Sequence, residues 1–271
     1  MQPHLIVSDL DGTLLGADHD LAALTIDTLR ALAGEGHRLC LASGRHHRDM
    51  VGFRDRLGGA AHIISSNGAW TLDAAGQCVR SAHLRPEQVE MLLSLPRPSE
   101  VRLNMYREDA WLIDDHAPGL LALHEATGFE YQVAPTERME VQGVGKVLYI
   151  GEPRLLATIE AAAREAAGDA LHITYSMSHS LEIMAAGVNK GSAVSALLDD
   201  LGIPAERCLA FGDNLNDLEM LSLAGEAHVM ANAHPQLAQD LPGATVIGHH
   251  AEEGVARCLR RRFGLADERH G

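Results

Sequence analysis

The stretch His4-Leu5-Ile6-Val7-Ser8-Asp9-Leu10-Asp11-Gly12-Thr13 runs from an apolar segment straight into two carboxylates. Its first half is short, uncharged and partly β-branched, as a buried strand of a parallel sheet is. Asp9 and Asp11 stand where that strand stops, and Gly12 supplies the conformational freedom of a turn. Ligands bind parallel sheets at the carboxyl ends of their strands, so paired acids in this place predict chemistry. An offset of two puts alternate side chains of an extended backbone on one side, which lets one short segment supply both groups.

The flanking sequence repeats the pattern. Leu21, Leu24, Thr25, Thr28, Leu29 and Leu32 recur at helical spacing up to Gly34 or Gly36. A second apolar run, Arg38 to Ala42, stops at Ser43-Gly44-Arg45 and gives way to a helix from about His46 to Leu57. A third, His62 to Ser65, ends at Ser66-Asn67-Gly68. Strands alternating with helices make a parallel α/β unit.

The rhythm changes from about residue 80 to 186. Runs such as Val101 to Tyr106 and Ala110 to Ile113 alternate apolar with polar residues, as strands with one wet face do. Helical patterns lie near Pro86–Leu95, Pro118–Thr127 and Pro153–Ala167, and two more strands, Leu171–Tyr175 and Leu181–Met184, close an α+β insert. The first rhythm returns at Asn189, with a helix to about Leu201, a strand Cys208–Phe211 ending at Gly212-Asp213-Asn214-Leu215-Asn216-Asp217, and a final helix from Glu252 to Arg262. Ala266 to Gly271 read as a frayed tail. The predicted division is a discontinuous core, 1–80 and 188–271, interrupted by a second domain over 81–187.

At 271 residues and 46% hydrophobic content the chain has ample material for a core. It has no apolar stretch of membrane-spanning length and no leader pattern at its start, so a cytoplasmic protein is expected. A formal charge of -15 argues against a nucleic-acid or anionic-membrane surface. Cys40, Cys78, Cys208 and Cys258 have neither disulfide nor zinc spacing, and the sixteen histidines are scattered.

Four groups of residues therefore stand after strands or at helix starts: Asp9 with Asp11, Ser43-Gly44, Lys190, and Asp213 with Asn216-Asp217. Two carboxylates about 5 Å apart repel by about 3 kcal/mol at an effective dielectric near 20. A divalent cation relieves that repulsion, and oxygen ligands favour Mg²⁺. Lys190 and the hydroxyl and N–H groups of Ser43-Gly44 suit an anion. Together these describe a phosphoryl-transfer site.

The ordered set Asp-x-Asp-Gly-Thr, Ser-Gly-Arg, Lys and Gly-Asp-x-x-Asn-Asp resembles the motifs of the haloacid dehalogenase-like phosphohydrolases, across the whole chain. Because only about thirty residues separate Thr13 from Ser43, the insert before Lys190 is similar to the C2 cap of the Cof-type branch. The resemblance implies a Rossmann-like core with an inserted α+β cap, and an Mg²⁺-dependent phosphatase acting on small phosphorylated metabolites. Further likeness in Asn189-Lys190-Gly191 and Met230-Ala231-Asn232-Ala233 extends to branch members that hydrolyse a thiamin-precursor pyrimidine pyrophosphate. Sugar phosphates, pyridoxal phosphate and flavin mononucleotide are the alternatives within the branch.

Carried over by residue, the resemblance makes Asp9 the nucleophile and Asp11 the acid/base. Asp9, the Asp11 carbonyl and Asp213 would hold the metal, and Ser43, Gly44, Lys190 and Asn216 the phosphoryl oxygens. Thr13 would position Asp11, and Asp217 would orient Lys190 or a metal-bound water. His46, Asn104, Tyr106, Trp111 and Met184 are the candidates for substrate selection. A phosphomutase is the nearest enzymatic rival. A phospho-receiver module is the non-enzymatic one, disfavoured by the large insert and by an acid two residues after the nucleophile.

Overall fold

The computed structural model describes residues 2–121 and 127–266. The chain opens with β1 (Leu5–Ser8), α1 (Ala23–Gly34), β2 (Arg38–Ala42), α2 (His47–Arg56) and β3 (Ala61–Ser65). A hairpin of β4 (Trp70–Leu72) and β5 (Cys78–Ser81) follows. The next segment carries α3 (Pro86–Ser94), β6 (Arg102–Arg107), β7 (Trp111–Ile113), α4 (Pro118–Leu121), β8 (Gln132–Val133), β9 (Val144–Ile150), α5 (Pro153–Ala167), β10 (Leu171–Met177) and β11 (Ser180–Ala185). The last contains α6 (Lys190–Leu201), β12 (Cys208–Gly212), α7 (Leu218–Leu223), β13 (Glu226–Val229), α8 (Pro235–Asp240), β14 (Thr245–Val246) and α9 (Gly254–Phe263). The predicted continuation of α4 over 122–126, and all but the first residue of the predicted tail, lie outside the described residues.

Two sheets result. The first has the order β14-β13-β12-β1-β2-β3-β4-β5, parallel except for the antiparallel hairpin at its end. The second has the order β10-β11-β9-β6-β7-β8, antiparallel apart from the β7–β8 pair. β1 lies between β12 and β2, with Leu5 in register with both Cys208 and Arg38. All four β1 residues are buried. Leu5 and Val7 pack with Val194, Leu197 and Leu198 of α6 on one face. Ile6 packs with Leu29 and Leu32 of α1 and Leu259 of α9 on the other. Each such aliphatic side chain contributes roughly 1.5–3 kcal/mol by leaving water, and it is this two-sided cover that made the run unbroken in sequence.

The second sheet buries one face against α3 and α5, through Val89, Leu92, Leu156, Ile159 and Tyr149. Part of its other face, including Tyr106, Trp111, Leu148 and Met184, joins the apolar cluster that extends from the first sheet. The hairpin β4–β5, which the sequence reading passed over, makes this junction. The Trp70 ring is fully buried and lies against Gly145 of β9, where an added Cβ would sit 2.4 Å from the indole. No helix among the described residues is long and apolar enough to cross a membrane, and all four cysteines are free thiols.

The closeness of Trp70 to Gly145 has a measurable cost when disturbed. Gly145→Ala should destabilise the fold by about 1–3 kcal/mol through overpacking, seen as a lower Tm in thermal unfolding. An unchanged Tm would mean that β9 can move away from the ring freely.

Candidate active site

The carboxyl ends of β1, β2, β3 and β12 meet on one edge of the sheet because these strands run parallel. Asp9 leaves β1 with its N–H still bonded to the Phe211 carbonyl at 3.0 Å. The backbone then reverses through Gly12, at φ 81°. A Cβ on that glycine would lie 2.4 Å from Asp213 Oδ2, so both the turn and the close approach require Gly. α6 begins at Lys190 because Asn189 caps it, accepting from the Ser192 N–H at 2.7 Å while the Ser192 hydroxyl oxygen receives the Asn189 N–H.

Lys190 Nζ lies 2.5 Å from Asp9 Oδ1 and 2.6 Å from Asp217 Oδ1. The other Asp217 oxygen accepts the N–H groups of Asp213 and Asn214 at 2.9 and 3.0 Å. Thr13 donates to Asp213 Oδ1 at 2.6 Å. The partner of Thr13 is thus Asp213, after β12, where the expectation had been Asp11. Asp11 is held instead by Arg45, whose Nε and Nη2 each donate to one carboxylate oxygen at 2.7 Å. Arg45 Nη1 also donates to the buried Asp49 at 2.9 Å. Asn216 donates to Asn67 Oδ1 at 3.1 Å, and Ser43 Oγ accepts from the Arg45 N–H at 3.1 Å.

Charge is the dominant feature of this edge. Lys190 faces Asp9 and Asp217, and Arg45 is shared between Asp11 and the buried Asp49, so among the described residues the acids here outnumber the lysine and arginine paired with them. Burial pushes Asp9 well above the usual carboxylate range; Lys190 pulls the other way, and repulsion from Asp217, Asp213 and Asp11 adds to the rise. Burial, with Asp217 beside it, raises Asp213 to about 7 even though Thr13 and Lys190 favour its charged form. Burial alone would neutralise Lys190, but Asp217 and Asp9 more than offset that and hold it protonated. Carboxylate oxygens of Asp9, Asp213 and Asp217 lie within 4.8 Å of one another. Buried, clustered carboxylate oxygens that repel one another fit a hard divalent cation such as Mg²⁺.

A cavity of about 390 Å³ opens over these groups, between the two sheets. Asp9, Asp11, Ser43, Gly44, Asp213 and Asn216 line its floor. Of the five residues expected to select substrate, Tyr106 and Trp111 line it, and His46, Asn104 and Met184 do not. His46 is fully buried, its Nδ1 accepting from the Arg48 N–H at the start of α2 and its Nε2 lying 2.6 Å from the Arg107 carbonyl. Asn104 accepts from the Trp111 indole N–H at 2.8 Å, and Met184 packs beneath Asn67. Alternation identified the faces of these strands but not which face meets the cavity.

Several residues went unassigned in sequence. Arg45 and Asn67 stand at strand ends that the sequence marks, whereas Lys146 and Glu182 lie inside strands of the insert. Both are almost fully buried, at 1% and 3% exposure, and bonded to each other at 2.8 Å. Their signal was present: each is a charge inside an apolar run, Val144 to Ile150 and Leu181 to Met184, and such charges are rarely buried without a partner.

Known proteins resemble this chain in sequence and in fold. A family model described as haloacid dehalogenase-like hydrolase matches residues 6–259. A putative phosphatase of Haemophilus influenzae is 40% identical over 263 residues, covering 96% of this chain and 97% of its own. An HMP-PP phosphatase of Yersinia enterocolitica is 36% identical over 256 residues, with 94% of each chain covered. Among solved structures, a haloacid dehalogenase-like hydrolase from Bacteroides thetaiotaomicron superposes with a TM-score of 0.84 at 24% identity, covering 97% of this chain and 100% of its own. A sugar phosphatase of haloacid dehalogenase subclass IIB gives 0.83 at 18% identity with the same coverage. At those identities the structural likeness carries the fold.

The raised Asp213 pKa has a consequence for stability. The folded protein binds a proton there that the unfolded chain has lost, so this contribution is full below about pH 4 and lost as pH rises through about 7. Asp213→Asn should therefore raise Tm at pH 8 in metal-free buffer, by about 2–4 °C for each kcal/mol of repulsion removed. The advantage should vanish near pH 4. Calorimetry across that range is the check, and a lower Tm for the variant at pH 8 would contradict the charge argument.

Proposed function

The chain belongs to the haloacid dehalogenase-like hydrolases and is a phosphatase, and we propose that it removes phosphate from a small heteroaromatic phosphate or pyrophosphate, with HMP-PP as the foremost candidate. The observation that carries this reading is the two-part cavity. Its floor is polar and charged, and its upper wall presents Tyr106, Trp111, Leu120, Leu148 and Ile150, with Ser176, His179 and Ser180 also lining it. Flat aromatic and aliphatic surface suits a heterocycle better than a sugar, whose hydroxyls need hydrogen-bonding partners. Relatives named HMP-PP phosphatase, 35–36% identical over nearly the whole chain, support it.

In this reading a carboxylate oxygen of Asp9 bonds to phosphorus as the bond to the leaving oxygen breaks, giving an aspartyl-phosphate. Asp11 protonates the leaving oxygen where it needs a proton, then takes one from the water that cleaves the intermediate. Ser43, the Gly44 N–H, Lys190 and Asn216 bind the phosphoryl oxygens, and Asp217 holds Lys190 in place. Asp9, Asp213 and the Asp11 carbonyl would hold Mg²⁺, which supplies neutralisation of charge on the phosphoryl group. Arg45, paired with Asp11, suits a pyrophosphate substrate in particular. Its leaving group departs as a phosphate anion, which a guanidinium stabilises and which demands little protonation.

A panel of HMP-PP, pyridoxal phosphate, flavin mononucleotide and hexose phosphates, assayed for phosphate release with Mg²⁺ and with chelator, tests the proposal. HMP-PP should give the highest kcat/KM, and chelator should abolish release. A hexose phosphate as the best substrate would overturn the specificity. Asp9→Asn should lower kcat at least about a thousandfold with the fold intact, and phosphate transfer between positions without release would identify a mutase instead.

A further inference from the structure

The buried pair Lys146–Glu182 belongs to the second sheet, yet each partner also hydrogen-bonds to a loop of the first. Lys146 Nζ donates to Glu182 Oε1 at 2.8 Å and to the Gly44 carbonyl at 2.6 Å. Glu182 Oε2 accepts from Asn67 Nδ2, and Asn67 Oδ1 accepts from Asn216 Nδ2 at 3.1 Å. One connected path therefore runs from β9 and β11 to two members of the phosphoryl-binding set, Gly44 and Asn216.

Two further features argue that this path is built for positioning. The backbone holds Ser66 at φ 47° and Asn67 at φ 57°, both buried and both left-handed. Two adjacent non-glycine residues in that region carry strain, which the surrounding structure sustains while Asn67 faces both Glu182 and Asn216. Lys146 also stands 4.5 Å from the Tyr106 ring centroid, so its ammonium is fixed on a third side by the cavity wall. A hydrogen bond onto the Gly44 carbonyl fixes that residue's backbone, and with it the direction of the adjacent N–H groups.

We propose that Lys146 and Glu182 are positioning residues, which hold the Gly44 backbone and the Asn67–Asn216 amides so that the phosphoryl cradle is in order only when the second sheet is seated on the first. The proposal rests on the phosphatase reading of the cradle. It makes the second sheet a part of phosphate binding as well as a lid over the leaving group. Its consequence is uniform: loss of the pair affects every substrate alike, because all share the phosphoryl group.

Lys146→Met removes the donor but strands Glu182 as a buried unpaired charge, so the neutral double variant Lys146→Met/Glu182→Gln is made beside it. Phosphate release from p-nitrophenyl phosphate, pyridoxal phosphate and HMP-PP is measured, together with inhibition by inorganic phosphate. The double variant should lose about tenfold to a hundredfold in kcat/KM, by a similar factor for all three compounds, and inorganic phosphate should inhibit it correspondingly less. Hydrogen exchange of the amides at 43–45 and 66–68 should rise, with α3 and α5 as protected as before. A loss confined to one leaving group, or unchanged exchange in both loops, would overturn the proposal. Should the wild type release phosphate from none of the compounds, the phosphatase reading fails, and the exchange measurement alone still decides whether the pair orders the two loops.

Discussion

Everything on the active edge answers to one electrostatic constraint, the crowding of Asp9, Asp11, Asp213 and Asp217, of which all but Asp11 are buried. Lys190 is the first response. It reaches Asp9 and Asp217 at 2.5 and 2.6 Å from the first residue of α6, so helix, cap and counter-charge arrive together. Arg45 is the second, and it grips Asp11 through two donors while a third holds the buried Asp49. The excess of negative charge suits a divalent cation, whose own positive charge is then available to an anionic phosphoryl group. A site poised in this way is costly to the fold, as the upward displacement of Asp9 and Asp213 records.

Much of the core was legible because its signals are local. An apolar run ending in Asp9, or in Ser43-Gly44, states both that a strand is buried and where it stops, and topology then brings the ends together without further information. The parallel strands, most helices and the α+β character of the insert followed from period and punctuation. The β4–β5 hairpin did not, because two short strands around Asp73 to Gly76 offer too few residues for a period to show.

The cap was harder to read for a different reason. Alternation shows that Asn104 and Tyr106 share one face of β6, and Met184 and Glu182 one face of β11, but contact with the cavity depends on how the two sheets are stacked. Within a face, distance from the junction then separates Tyr106, which lines the cavity, from Asn104, which serves Trp111. Glu182 reaches Asn67 beyond the end of β3, while Met184, two residues on, stays in the core. Long-range packing of this kind has no counterpart in sequence spacing.

The central position of β1 also bears on how the chain comes to be folded. Its neighbour β2 follows within about thirty residues, but its other neighbour, β12, pairs Leu5 with Cys208, across the whole intervening segment. At about 5–20 residues per second, β1 waits on the order of tens of seconds during synthesis with one apolar edge unsatisfied. During that interval the nascent chain displays the kind of open strand that templates aggregation, and it holds Asp9 without Lys190. The fold that gathers its chemistry from both ends of the chain thus carries a vulnerability in time, one that an arrangement with local strand neighbours would avoid.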